Sequence, residues 1–61
     1  MSIKRCREQA GKSVAEVAEY MEVSNVAAYK WERGNNMPSA DKLLKLAKYL
    51  DCTVEDLLSK E

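Results

Sequence analysis

Two short amphipathic segments lie end to end in this chain with almost nothing between them, and that limits its fold more than any other feature. Ser13 is placed to cap the first segment, and Glu16, three residues on, completes a capping box. Val14, Val17, Ala18 and Met21 then fall at i, i+3, i+4 and i+7, the spacing of one buried helical face. Glu22 and Val23 break the pattern and Ser24 can cap again. A second segment runs from Asn25 to about Arg33, where Gly34 stops it. A connection of about three residues does not suit the long antiparallel hairpin of a helical bundle; it fits two helices crossing at ~90–120°, a helix-turn-helix.

The rest of the chain is punctuated in the same way. Ile3 to Ala10 reads as a short helix ended by Gly11, which takes the left-handed conformation without strain. Asn35, Asn36, Met37 and Pro38 form a loop, with proline disfavouring helix at Met37. Ser39 opens a fourth helix in which Leu43, Leu46, Ala47 and Leu50 repeat the helical spacing. Asp51 and Cys52 turn the chain, and Thr53 caps a last helix carrying Val54, Leu57 and Leu58. No stretch alternates as a strand would. The reading is all-α: five short helices in one compact domain, residues 1–61, with no repeat and no linker. A chain this short buries only ~60% of its unfolded surface, so it depends on close packing or on a partner.

Composition removes several function classes. The two cysteines, Cys6 and Cys52, are far apart and there is no histidine, so the short-spaced ligand set of a zinc site is missing. The expected role of both thiols is that of small apolar core residues. No glycine-rich phosphate loop and no convergent acid, base and nucleophile can be read, so no enzyme and no cofactor are expected. Glu55 and Asp56 suit the first turn of the last helix, where carboxylates complement the dipole. With no membrane-spanning run and no signal-peptide pattern, the expectation is a soluble cytoplasmic protein. Ten basic residues balance ten acidic ones, so any basic face must come from geometry rather than from total charge.

The third helix offers such a face. At ~100° per residue, Ala28 and Trp31 share the inner side, and Trp31, the only tryptophan, should anchor the core. The outer side carries Val26, Tyr29, Lys30 and Arg33, flanked by Asn25 and Ala27. These are types that meet DNA: Lys for phosphate or guanine, Asn for adenine, Val and Ala for the thymine methyl. An ordinary solvated face is the competing reading. The exposed small apolar Val26 and Ala27 favour a groove over water.

Ser13 to Ser24, Trp31-Glu-Arg-Gly34, Met37-Pro-Ser39, Leu43-Leu-Lys-Leu-Ala47 and Val54-Glu-Asp-Leu-Leu58 together resemble the phage-repressor/Cro-type (XRE-like) helix-turn-helix family, whose domains have the lambda-repressor-like five-helix fold. The resemblance spans roughly Ile3 to Leu58. It implies that Ala18 is the small residue between the two motif helices, that Val23 is the apolar turn residue, and that Ala28 and Trp31 are core positions. It places Ser24, Asn25, Val26, Ala27 and Lys30 on the DNA side. It matches Arg7 and Glu32 to a structural ion pair that orients the third helix. Cys6 and Cys52 fall on aliphatic core positions.

This chain departs from the family at three points. Val14 stands where a glutamine commonly contacts phosphate. Glu22 replaces the turn glycine and would have to accept a positive φ. The start close to Ile3 leaves a short first helix without the arm that some relatives use.

The expected function is sequence-specific DNA binding and transcription regulation, with helix 25–33 in the major groove of double-stranded DNA. The DNA-contacting set is Ser24, Asn25, Val26, Ala27, Tyr29, Lys30 and Arg33, with Asn35 and Asn36 in the loop at backbone phosphates. One module covers a half-site, so a homodimer is the expected form, with Leu57 and Leu58 among its candidate contacts and no small-molecule effector or metal involved. The alternative is a protein-interaction module that keeps the fold. Zero net charge, Val14 and the acidic Glu16, Glu19 and Glu22 favour it.

Overall fold

The computed structural model describes residues 2–59. It contains α1 (Ile3–Gln9), α2 (Val14–Met21), α3 (Asn25–Arg33), α4 (Ala40–Tyr49) and α5 (Val54–Leu58), with no strand among the described residues. The start signals work as the sequence predicts. Glu16 N–H donates to Ser13 Oγ (3.1 Å) while Ser13 N–H donates to Glu16 Oε1 (3.0 Å). This bonding draws the Glu16 carboxyl below its ordinary range. Thr53 and Asp56 form the same reciprocal box on α5, and Ser24 Oγ accepts from Ala27 N–H at 3.1 Å. Ser39 differs: its backbone is extended as a cap requires, but its side chain makes no capping bond.

The first four helices all stop by one device. A residue in the left-handed region follows each, and the next N–H donates five residues back. Gly11 (φ 71°), Glu22 (φ 58°), Gly34 (φ 80°) and Asp51 (φ 55°) take the left-handed position. The return bonds run from Lys12 to Arg7, Val23 to Ala18, Asn35 to Lys30 and Cys52 to Ala47, at 2.9–3.1 Å. Glycine fits this geometry freely, whereas a residue with a Cβ is strained by ~1–2 kcal/mol, and a carboxylate also faces the negative helix end. Glu22 therefore does accept the positive φ expected of it, and Asp51 repeats the feature unforeseen. Glu22→Gly should stabilise the protein by about 0.5–1 kcal/mol once glycine's larger unfolded-state entropy is deducted, raising Tm by about 2–8 °C. A lower Tm in a thermal melt would show that the Glu22 side chain has a stabilising role of its own.

The helices enclose one core of Ile3, Cys6, Val17, Met21, Trp31, Leu43, Leu46, Ala47, Leu50 and Leu57, with Leu46 and Cys6 sealed from solvent. Helix α2 is central to this arrangement, packing against both α3 and α4, while α1 packs against α3 and α5. Leu57 is 3% exposed, so it is a core residue and is not available as a dimer contact; its neighbour Leu58 is exposed. On a five-residue helix both leucines look alike in sequence, and only the packing of α5 on α1 and α4 separates them.

Cys6 and Cys52 are both free thiols, one buried and one half-buried, packed with the core as expected. Burial, then contact with the Cys6 thiol, pushes the Cys52 thiol up to about 12, which keeps it protonated and a poor nucleophile. On the surface Tyr20 of α2 stacks on Tyr49 of α4, with centroids 3.9 Å apart and rings 12° from parallel. Lys12 lies over the Tyr49 ring and Lys45 over the Tyr20 ring, at 5.1 and 5.0 Å. No helix among the described residues is long and apolar enough to cross a membrane.

Candidate nucleic-acid interface

Helix α3 is fastened along its inner side and open along its outer one. Ala28 and Trp31 are 3% and 7% exposed, whereas Val26 is 62% and Tyr29 51% exposed. Asn25, Lys30 and Arg33 are exposed, Ala27 is half-buried, and Asn35 and Asn36 are exposed in the loop that follows. Ser24 is also exposed, but its hydroxyl is already engaged as the cap of α3. The division into inner and outer sides is the one that the helical period predicts.

Arg7 and Glu32 form the anticipated ion pair between α1 and the end of α3. Arg7 Nε donates to Glu32 Oε2 at 2.6 Å and Nη2 donates to Oε1 at 3.4 Å, a forked contact of side chains 14% and 11% exposed. The remaining guanidinium nitrogen, Nη1, donates to the Lys12 carbonyl at 2.9 Å, tying the α1–α2 corner to the same group. The bond to Glu32 raises the Arg7 pKa despite the opposing effect of burial, so the guanidinium is permanently charged.

Two stripes run along the open side of α3. Asn25, Tyr29 and Arg33, at i, i+4 and i+8, line a cleft of about 680 Å³ that α1 and the start of α2 close on the other side. Val26 and Lys30 lie outside this cleft. Lys4, from α1, is a further cation on the cleft wall, one that the residue pattern of the motif does not single out. The signal that could have found it is its position one turn before Arg7, which shares the α1 face turned toward the end of α3.

The cations of the protein divide by what they touch. Arg7 is held by Glu32, and Lys12 and Lys45 lie on tyrosine rings. Lys4, Lys30 and Arg33 have no side-chain partner among the described residues, nor do Lys42 and Lys48 on α4, away from this side. In a chain with zero formal net charge, the open side of α3 and its cleft thus carry uncompensated positive charge. Glu32, the carboxylate nearest to them in the cleft, is neutralised by Arg7.

Comparison with known proteins agrees with this geometry. The Helix-turn-helix family matches residues 3–57, which includes all five helices but for the last residue of α5. A protein of Methanococcus vannielii named as an HTH-type transcriptional regulatory protein is 40% identical over 50 residues, covering 82% of this chain and 15% of that protein. The HTH-type transcriptional activator BcrR of Enterococcus faecalis is 36% identical over 53 residues, 84% of this chain and 26% of its own length. The chain therefore spans only a small part of the length of either relative. No solved structure matches it with significance. The match over 55 of 61 positions, on a structure with the motif's two helices and tight turn, means that the chain belongs to the XRE-type helix-turn-helix family.

Proposed function

We propose that this protein is a sequence-specific DNA-binding transcriptional regulator of the XRE type, which lays α3 in the major groove. The observation that carries the reading is the open side of α3: a rigidly mounted row of unpartnered polar, cationic and small apolar side chains. Val26, Ala27 and Lys30 meet base edges, Val26 and Ala27 against thymine methyls and Lys30 against guanine acceptors. Asn35 and Asn36 sit beside the backbone at the end of the helix. A single module reads a half-site, so the active form is a homodimer on half-sites ~34–36 Å apart. Exposed Leu58, Leu44 and Met37 supply apolar surface for it.

The test begins with selection of bound sequences from a random DNA pool, where an inverted repeat is expected. On the selected site, Lys30→Ala should lose about 1–3 kcal/mol of binding for each bound copy, with circular dichroism unchanged because Lys30 holds nothing in the fold. Equal affinity of the folded variant would remove Lys30 from the interface. The second reading, a protein-binding module on the same fold, has Val14, Glu22 and the balanced charge in its favour. Salt separates the two: DNA binding must fall by about 0.9 in log–log slope for each phosphate contacted, whereas binding of mixed DNA that is absent or insensitive to salt supports a protein partner.

A further inference from the structure

We infer that the cleft between α1, α2 and α3 clasps one phosphodiester of the DNA backbone, with Lys4 and Arg33 as its two charged jaws. The inference rests on the proposed DNA reading and divides the open side of α3 between two tasks. Lys4 and Arg33 reach the cleft from different helices, and neither has a partner within the protein. On its wall the forked Arg7–Glu32 pair cancels the one carboxylate among the lining residues. Two positive charges are left facing a concavity that admits a tetrahedral anion. Tyr29 and Asn25, on the same stripe as Arg33, add neutral hydrogen-bonding groups to the wall. Asn25, Tyr29 and Arg33 therefore serve affinity and register, and sequence preference is left to Val26, Ala27 and Lys30. The cleft also supplies the anchoring at the start of α2 that Val14, with its apolar side chain, cannot.

Lys4→Gln and Arg33→Gln test the clasp, because both residues are exposed and loss of either leaves no group unpaired. Wild type and variants are titrated on selected and scrambled duplexes across a fourfold range of salt, with circular dichroism to confirm folding. Each variant should weaken on both duplexes by the same factor. Its log–log salt slope should be shallower by about 0.9 per bound copy, so that the fourfold rise in salt weakens it about 3.5-fold less than wild type per copy. A slope equal to that of wild type, or a change in base preference with the slope intact, overturns the clasp while leaving DNA reading by α3 in place. Wild type that binds neither duplex overturns both.

Discussion

Trp31→Ala should leave a chain that is largely unfolded at 25 °C. Deleting a buried tryptophan side chain costs about 3–5 kcal/mol, and the whole core of a domain this small rarely supplies more than about 3–5 kcal/mol. Trp31 is the largest side chain of the core, and it is the one residue that α3 contributes to the cluster shared by α1, α2, α4 and α5. No other residue of α3 can substitute, since Ala28, its one buried companion, contributes a single methyl. Trp31→Phe keeps most of the volume and should stay helical with a lowered Tm. Far-UV circular dichroism and thermal melts of both variants make the check. A helical Trp31→Ala melting within a few degrees of wild type would mean that α3 is held by something other than its tryptophan.

The second large effect concerns the Arg7–Glu32 pair. Its side chains are mostly covered, yet they line an open cleft, so the cost of breaking the pair falls between two limits. Exposed pairs contribute about 0–1 kcal/mol, and stranding a fully buried charge costs about 3–5 kcal/mol; about 1–3 kcal/mol is expected here. Glu32→Leu leaves a guanidinium that cannot shed its proton. Arg7→Met leaves the carboxylate and also orphans the Lys12 carbonyl, and should be the worse of the two. The double variant removes both charges and should recover part of the loss. Urea denaturation of the four proteins closes the cycle, and strictly additive losses would show that the two groups are not coupled.

What could be read ahead of the structure was local. Ser13 with Glu16, Ser24 and Gly34 each act within one helical turn, so sequence alone placed the starts of both motif helices and the approximate end of the second. The period of α3 likewise separated Ala28 and Trp31 from Val26 and Lys30. What escaped was tertiary. Leu57 and Leu58 differ only in which one enters the core. Lys12 and Lys45 look like free surface cations until Tyr20 and Tyr49 stack and draw them in. Lys4 and Arg33 share a cleft although one lies near each end of the first three helices, and nothing short of the fold brings them together. The Arg7–Glu32 pair is equally distant in sequence. It was anticipated through resemblance to a family in which the fold had already made that pairing.

The way α3 is finished at both ends bears on the thermodynamics of whatever it meets. Ser24 closes its first turn, Gly34 closes its last, and Ala28, Trp31 and Glu32 fix it to the body before any partner arrives. Segments that fold only on contact give up about 2–5 kcal/mol of interaction energy to ordering. Here α3 is already formed and capped without a partner, which matters for a module whose contact area with DNA would be only about 600–1,000 Å². Association through α3, as proposed, should then be a rigid-body docking whose heat-capacity change is set by the surface that the partners cover, with no added contribution from helix formation.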